Sequence, residues 1–423
     1  MSCKLGPDNI LYDTVLYRIV YDAVGQVLPC WLSYFVAGFV IMLILVNAVL
    51  LGAAVFTWLE RRLIGRFHNR IGPNRWGPFG LLQPIADLVK LMVKEDLTPR
   101  DADRIVFFLV PIAMLMPVIL MLAVVPFAKD TALADLNVGV LYVLAVTSLT
   151  TVAIFMAGWS SNNRYAMFGA ARGVAVLISY EVPVVLSLLG VVLVAGSMSL
   201  ADVVDAQVVP FLLVQPLALF VFFAGSSAEL NRTPFDVAEA ESELVAGYHT
   251  EYSGIKFGLI QAAEFGGVLT NSAVIVTLFL SGWSGPASSY IGWFWFLLKL
   301  AGVLFVFIWI RATYPRLRID QLMALAWKFL LPLSLINLLA TTLEVYFFRS
   351  DQGQLSAGDL WIMAGINLAV AFASIIMFGS LIRDKVRPKV PHLSGPVALP
   401  RSGQPAGLAA LSAESPVSIG EVT

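Results

Sequence analysis

Acidic side chains cluster in one polar loop of this 423-residue sequence, between residues 229 and 252. If residues 235–245 form a helix, Asp236, Glu239 and Glu243 lie on one face at i, i+3 and i+7. Neighbouring carboxylates resist full ionisation, so one or more of them can hold a proton near neutral pH. A solvated acidic loop is the alternative, although the interleaved Phe, Val, Ala and Leu residues favour partial burial. The loop contains one arginine, Arg232, and six acids, which are Glu229, Asp236, Glu239, Glu241, Glu243 and Glu251.

A second set of charges lies within apolar stretches. Glu181 is near the centre of one stretch, and Pro183 follows it. Because proline cannot donate to the carbonyl of Ser179, a polar, distorted turn is expected beside this carboxylate. A charge at mid-bilayer costs at least about 2.5–3.5 kcal/mol, so such residues persist when they pair or line a polar path. A structural ion pair of Lys299 with one glutamate is the alternative to a proton path. The acids of this set are Glu181, Glu229, Glu264 and Glu344.

The composition indicates what holds these charges in place. Hydrophobic residues make up 59% of the chain and charged residues 13%, against about 25% charged in an ordinary soluble domain. A water-soluble globular protein is therefore excluded. Nine stretches reach the length of about 20 apolar residues that a membrane span needs, and all must be helical because lipid offers the backbone no hydrogen-bond partner. They are 32–59, 104–127, 138–158, 164–195, 209–230, 256–282, 288–312, 322–346 and 358–382. The predicted fold is an all-α polytopic membrane protein with about nine transmembrane helices.

The distribution of lysine and arginine predicts the orientation. With the N-terminus outside, 22 of the 27 basic residues fall in cytoplasmic segments, 4 fall outside and Lys299 lies in a span. Cytoplasmic loops carry this excess in membrane proteins, so we expect the N-terminus outside and the C-terminus in the cytoplasm. The long polar loops are then cytoplasmic, and the chemistry is expected on that side.

One cytoplasmic segment has the pattern of an amphipathic interfacial helix, which lies in the membrane surface. From Leu81 onward, apolar residues recur at helical spacing over about 16 residues, and polar residues such as Asp87 and Lys90 occupy the other face. This helix is too short to span and suits the headgroup plane. Pro84 falls in its first turn, where a missing N–H is harmless. The helix is either a surface anchor or the floor of an opening for a lipid-soluble substrate.

Several chemistries are excluded from this chain alone. Its two cysteines are too few for an iron–sulfur cluster, which needs about four ligands. No glycine-rich nucleotide motif and no metal-ligand spacing is present. The net charge of −1 gives no reason to expect nucleic acid.

Three blocks of sequence together resemble a known family. They are Glu60-Arg61-Arg62 with RIGPNRWGPFGLLQPIADLVKLMVKE at 70–95, AELNRTPFDVAEAESELVAGYHTEYSG at 228–254, and WIRATYPRLRIDQLMALAWKFLLP at 309–332. With SYEVP at 179–183 and AEFGG at 263–267, they resemble the H subunit of bacterial proton-translocating NADH-quinone oxidoreductase, or complex I. The mitochondrial counterpart is NADH dehydrogenase subunit 1.

The resemblance implies a membrane subunit that forms much of a quinone chamber and couples quinone reduction to proton translocation. Quinone is then the substrate, either ubiquinone or menaquinone, and FMN and iron–sulfur clusters belong to partner subunits. Those partners are the peripheral-arm quinone-site and iron–sulfur subunits and the small and antiporter-like membrane subunits, in the bacterial inner membrane. No complete active site is expected on this chain.

The resemblance also assigns individual residues. The chamber and its opening take Glu60, Arg61, Arg70, Asp87, Arg232, Asp236, Glu239, Glu241, Glu243, Glu251, Tyr252, Arg311 and Arg316. The proton path takes Glu181, Glu229 and Glu264. Two histidines, His68 and His249, depart from the family pattern and are left out of the site.

The predicted organisation has four parts. Residues 1–31 form an N-terminal extracytoplasmic segment, and 32–346 form an eight-span core whose quinone-site loops are 60–103, 231–255 and 312–321. Residues 347–387 add a further span, and the Pro-, Gly-, Ser- and Ala-rich stretch 388–423 is expected to be a disordered cytoplasmic tail. A secondary transporter and a membrane scaffold without substrate are the alternatives from other functional classes. Membrane-bound hydrogenases share an ancestor with this family, so the electron donor stays open.

Overall fold

The computed structural model describes residues 15–25, 29–129, 131–237, 246–286, 288–348 and 356–385. The chain divides into two units, Met1–Met377 and Phe378–Thr423, and the helical bundle belongs to the first. The described residues form helices and no strands, which confirms the all-α membrane fold. The predicted tail, 388–423, lies outside the described residues.

Within these described ranges, eight helical segments are long and apolar enough to cross a membrane. They are formed by α2 (Cys30–Phe67), α4 (Arg104–Val124), α5 (Gly139–Ser160), α6 (Arg164–Ala195), α10 (Gly254–Phe279), α11 (Ser288–Thr313), α13 (Leu331–Phe348) with the helical turns before it, and α14 (Ala357–Lys385). The shorter helices are α1 (Val15–Gly25), α3 (Gln83–Val93), α7 (Leu200–Ala206), α8 (Phe211–Val214), α9 (Pro216–Glu229) and α12 (Ile319–Leu325).

The predicted span 209–230 differs from the others because it is broken. Two short helices, α8 and α9, meet at Gln215 and Pro216. Gln215 has φ −133° and ψ 63°, outside the helical region, and Pro216 cannot donate to the preceding turn. Its longer part, α9, has 14 residues, fewer than the roughly 20 that a span needs. The hydrophobicity of the stretch predicts the element and Pro216 predicts a kink in it, whereas the structure shows a full break between two helices.

The helix α10 lies at the centre of the bundle, where it packs against α2, α4 and α11. Its second half, from Gly266 to Phe279, is almost entirely buried. Two glycines at its midpoint allow close packing, because a side chain on Gly267 would lie 2.7 Å from a methyl group of Leu230. The carboxylate of Glu264 therefore lies at the edge of the tightly packed half of this helix, just before the two glycines.

The surface helix predicted from Leu81 begins two residues later, as α3. It has 11 residues, with Pro84 in its first turn as predicted. Its apolar side chains, including Ile85, Leu88 and Met92, are exposed on the protein surface, which suits a helix that lies against lipid. The segment after α3 is fastened to the start of α10, since Lys256 Nζ lies 3.1 Å from a carboxylate oxygen of Asp96.

The helix α2 extends beyond the membrane and carries charges at its end. Its 38 residues span about 57 Å at 1.5 Å per residue, well beyond a hydrocarbon core of about 30 Å. Glu60, Arg61 and Arg62 lie in its last third, close to the end of the bundle that also carries Arg232 and Arg311.

Candidate functional site

Two arginines from distant parts of the chain converge on the buried carboxylate of Glu60. Arg311, near the end of α11, donates from Nη1 to Glu60 Oε1. Arg232, just after α9, donates from Nη1 to both carboxylate oxygens at 3.3 Å. Because Glu60 is only 4% exposed, its charge needs this compensation. The resemblance to the family assigned all three residues to the chamber and its opening, and the structure brings them into contact.

Aromatic rings hold the guanidinium of Arg232 from its other side. Its Cζ lies 4.3 Å from the ring centroid of Phe265 and 5.9 Å from that of Phe56. Cation–π contacts of this kind contribute about 2 kcal/mol when the cation is desolvated. The sequence patterns did not single out Phe56 or Phe265, although Phe265 lies within the AEFGG block.

A second ion pair closes the same end of the bundle. Arg316 Nη2 lies 2.8 Å from Asp236 Oδ2, and Asp236 is buried. The two loops that carry these residues are also joined through the backbone, because Leu317 N–H donates to the carbonyl of Pro234 at 3.1 Å. The predicted loops 231–255 and 312–321 therefore contact each other at this point.

The start of the acidic loop, together with side chains of α10 and α11, lines a small polar cavity of about 50 Å³. A cavity of this size holds at least one water molecule. It joins the acidic loop to the membrane carboxylates, because Asp236 and Glu264 both line it. The lining residues are Leu230, Asn231, Arg232, Thr233, Asp236, Gln261, Glu264, Phe265 and Arg311.

Glu264 is held by donors from two elements. The hydroxyl of Tyr248 donates to Glu264 Oε1 at 2.5 Å, and Gln261 Nε2 donates to Glu264 Oε2 at 3.0 Å. Tyr248 is fully buried, in the 3₁₀ turn Gly247–His249. Neither donor was predicted from the sequence, because Tyr248 is separated from the Glu251-Tyr252 pair and no periodicity links it to α10.

The end of the acidic loop is fastened to the link between α5 and α6 and does not line the cavity. Asn163 Nδ2 donates to Glu251 Oε1 at 2.6 Å. The Tyr252 hydroxyl lies 3.1 Å from Ser160 Oγ, and its ring stacks on Phe107 with 4.1 Å between the ring centroids. Burial raises the pKa of Tyr252 to about 12, against a smaller lowering by the Ser160 hydrogen bond. Glu251 and Tyr252 thus anchor the loop.

The residues predicted to frame an opening lie near the surface helix. Arg61 Nη1 lies 2.5 Å from Asp87 Oδ2, and Gln83 Nε2 donates to the other oxygen of Asp87 at 3.1 Å. Arg62 donates to the carbonyl of Phe79 at 2.8 Å. These contacts tie α3 and the turn before it to the end of α2.

Arg70 lies apart from this group. It lines a larger pocket of about 350 Å³, together with Arg62, Arg66 and Asn69. Residues predicted for the chamber wall and opening therefore lie in three places: Glu60 in the buried ion-pair cluster, Arg61 with Asp87 at α3, and Arg70 at this pocket.

Two of the remaining membrane acids, Glu229 and Glu181, lie near each other. Glu229, at the end of α9, is close enough to Glu181 on α6 for their charges to repel each other. Ser179, four residues before Pro183, makes polar side-chain contacts: its hydroxyl donates to the carbonyl of Ala175 and accepts from Trp327 Nε1 at 3.2 Å. The distorted turn expected at Pro183 is not seen, because α6 stays helical from Arg164 to Ala195. Trp327 belongs to a π-helical turn, Ala326–Leu330, that precedes α13.

Some predicted features lie elsewhere or outside the described residues. Lys299 donates to the carbonyls of Gly282 and Ser284, at 3.0 and 2.7 Å, and forms no ion pair with the described glutamates.

The acids Glu239, Glu241 and Glu243, and the helix predicted for 235–245 beyond residue 237, lie outside the described residues. Among the residues that the structure describes, no group of three His, Cys, Asp or Glu could hold a metal ion.

The family model described as NADH dehydrogenase matches residues 40–342. The chain belongs to the NADH dehydrogenase family. The matched region contains every residue of the polar cavity and both ion pairs of Glu60. Similar proteins include the NADH-quinone oxidoreductase H subunit of Dehalococcoides mccartyi (strain CBDB1), which is 54% identical over 341 residues, covering 80% of this chain and 94% of the relative. The protein of the same name from Geobacillus kaustophilus is 51% identical over 296 residues, covering 68% of this chain and 88% of the relative. The predicted resemblance to the H subunit is confirmed.

Proposed function

We propose that this chain is the membrane subunit of a proton-translocating NADH-quinone oxidoreductase, a translocase, and forms the membrane-side wall of its quinone chamber. The observation that carries the proposal is the polar cavity in which Arg232, Asp236 and Glu264 meet, directly beside the Glu60 cluster. An acidic loop and a membrane carboxylate share one enclosed polar space there. That arrangement suits a subunit in which redox chemistry at the membrane surface controls protonation inside the bundle.

The cluster would act on quinone by electrostatics. Reduction of a quinone to a quinol takes two electrons and two protons, so negative charge develops on the headgroup oxygens until the protons arrive. Arg232, Arg311 and Arg316 supply positive charge next to two carboxylates. Because charges in a low-dielectric site interact strongly, a change at the headgroup shifts the protonation of Asp236 and Glu264. The electrons would come from FMN and iron–sulfur clusters on partner subunits.

The carboxylates then provide the route for the charge change. Glu264 faces the cavity, and in our proposal the pair of Glu229 and Glu181 takes the next step of the path. Because the pair repels, ionisation of one member opposes ionisation of the other. A proton that arrives at or leaves Glu264 therefore biases which member of the pair is protonated. The acids Glu239, Glu241 and Glu243 complete this path in our proposal, which leads towards antiporter-like partner subunits.

The orientation and location follow from the charge distribution. We place the N-terminus outside and the C-terminus in the cytoplasm of a bacterial cell, with the polar cavity at the cytoplasmic face. The apolar face of α3 then lies in the inner headgroup layer, and the Arg61–Asp87 pair holds this helix at the chamber opening. The segment 1–31 is extracytoplasmic, and 347–387 is a span beyond the eight-span core.

The replacement Asp236→Asn tests the quinone-site role in the assembled complex. Loss of the charge that Arg316 faces should raise the KM for a short-chain quinone several-fold, while NADH oxidation by a soluble electron acceptor stays unchanged. Asp202→Asn is the matched control, since Asp202, on α7, accepts from Ser197 and does not line the cavity. A wild-type KM for the quinone in assembled Asp236→Asn would contradict the proposal and leave the transporter and scaffold alternatives.

A further inference from the structure

A second set of polar side chains lies buried in the bundle, away from the cavity described above. Asn337, Thr341 and Glu344 follow one another on α13 at i, i+4 and i+7, which places them on one helix face. Their exposed fractions are 1%, 0% and 5%. Thr342 and Leu343, between the last two of these, are exposed on another face. The helix α13 therefore directs this polar face into the bundle, where polar partners on neighbouring helices are expected.

Gln215, at the break between α8 and α9, faces this row. Its Nε2 donates to the carbonyl of Gly190 at 3.1 Å and to Thr341 Oγ1 at 3.4 Å. Its Oε1, a hydrogen-bond acceptor, is buried and has no partner among the described residues. The same is true of Asn337 Nδ2, which is a donor.

The two orphan atoms are neighbours. Each lies 3.3 Å from the point that a Cβ atom on Gly190 would occupy, so their separation is at most twice that distance. One water molecule can bridge such a gap by donating to Gln215 and accepting from Asn337. Such a water supplies the hydrogen-bond partner that each of these two buried groups lacks. Gly190 keeps the space open, because a larger residue would fill it.

Glu344 ends the row and is paired with the last helix. Asn367, on α14, donates from Nδ2 to Glu344 Oε2 at 2.7 Å. The other oxygens of the pair, Glu344 Oε1 and Asn367 Oδ1, are buried acceptors without a donor among the described residues. Two acceptors cannot satisfy each other, so the pair needs an added hydrogen. No described lysine or arginine forms an ion pair with Glu344.

We propose that these residues form a hydrated proton-holding site, in which Glu344 carries the proton, Asn367 positions it, and water held by Gln215, Asn337 and Thr341 connects it to the middle of the bundle. In the proposed orientation the site lies in the outer half of the membrane. The family match ends at residue 342, before Glu344 and Asn367. None of these five residues lines the cavity beside Asp236, so the site is separate from that cavity, and its proton-transfer role rests on the proposed function.

Infrared difference spectroscopy of the purified complex tests the protonation directly. Wild type should show the carbonyl-stretch band of a protonated carboxyl that is absent from Glu344→Gln. Asn367→Leu should move this band to higher frequency, because the carboxyl loses its hydrogen bond from the amide. Two results would overturn the assignment of the proton to Glu344. In one, Glu344→Gln loses only an ionised-carboxylate band; in the other, its spectrum has every carboxyl band that wild type has.

Two adjacent threonines give a matched test of the water-linked row. Thr341→Val removes a hydroxyl that faces Gln215 with almost no change in shape, whereas Thr342→Val removes one that is exposed and donates to the carbonyl of Leu338. Thr341→Val and Asn337→Leu should lower the protons moved per quinone reduced at least twofold, and Thr342→Val should leave the ratio unchanged. Equal ratios in Thr341→Val, Asn337→Leu and wild type would overturn the site.

Comparison with Glu264→Gln distinguishes this proposal from the proposed function. If Glu264→Gln loses proton translocation while Thr341→Val and Asn337→Leu keep it, the proton-holding site at Glu344 is contradicted and the path through Glu264 stands. If Glu264→Gln and the row variants all pump normally, both proposals fail.

Discussion

Tyr248 donates its hydroxyl to Glu264 at 2.5 Å, and this hydrogen bond connects the end of the acidic loop to the central helix α10. Tyr248 is fully buried, so the contact is shielded from water. A movement of the loop therefore changes the environment of a membrane carboxylate directly. The relationship gives the loop a mechanical as well as an electrostatic link to the proposed proton path.

Replacement of Tyr248 by Phe tests this link. The variant loses one hydrogen bond to a charged group, which contributes about 1.5–3 kcal/mol, while the ring and its packing remain. We expect a roughly tenfold loss of coupled quinone reduction in membranes where the complex is still assembled. Tyr314→Phe is a suitable control, since this tyrosine is exposed. Equal losses in the two variants would argue against a specific role for the Tyr248 hydroxyl.

Replacement of Glu60 by Gln tests the Glu60 cluster. The variant leaves two arginines facing each other around a neutral side chain, and removal of one partner from a buried pair costs about 3–5 kcal/mol. We expect a lower midpoint of thermal unfolding and less assembled complex in membranes. Arg61→Gln breaks a pair that is half exposed on one side, so it should change stability by less than about 1 kcal/mol. A Glu60→Gln complex as heat-stable as wild type would show that the cluster does not hold the loops.

The buried phenol of Tyr252 predicts a loss of stability in alkali. Burial raises its pKa from the ordinary value of 10 to about 12, so the unfolded chain ionises first as the pH rises. The neutral phenol contributes about 2–3 kcal/mol to the free energy of unfolding. This contribution is complete below pH 10 and disappears as the pH approaches 12. The stability difference between wild type and Tyr252→Phe should fall across this interval. Inactivation rates at fixed temperature would measure it, and a difference that is independent of pH would contradict the predicted shift.

Two glycines offer a matched test of the packing beneath the loop. A Cβ on Gly169 would lie 2.7 Å from the Cα of Gly247, so Gly169→Ala must push the turn that carries Tyr248 away from α6. Overpacking of this kind costs about 1–3 kcal/mol, and we expect lower activity as well as lower thermal stability. Gly302→Ala places its methyl group where no atom lies within 4 Å, and it should be neutral. Comparable damage from both substitutions would remove the evidence for close packing at Gly169.

Most of the fold could be predicted from hydrophobic runs, because a span is defined by length and polarity alone. Pro216 predicts a kink in one of these runs, but the apolar sequence on both sides of it does not show that one helix ends and another begins there. The membrane acids could be predicted because a carboxylate in an apolar stretch is conspicuous, whereas Glu60, Arg311 and Arg316 were assigned by the resemblance to the family. Their partners Tyr248, Gln261 and Asn163 were missed because tyrosines and amides are common, and only the folded chain shows which of them reach an acid.

Glu264 is central to the proposed function, because it would pass a protonation change from the quinone side into the membrane. The most direct measurement is the number of protons moved per NADH oxidised by the Glu264→Gln complex in liposomes, with Asp202→Asn as the control. We expect the ratio to fall at least twofold in Glu264→Gln, with assembly intact and electron transfer to a soluble acceptor unchanged. A wild-type ratio and a wild-type rate of quinone reduction in that variant would contradict this role.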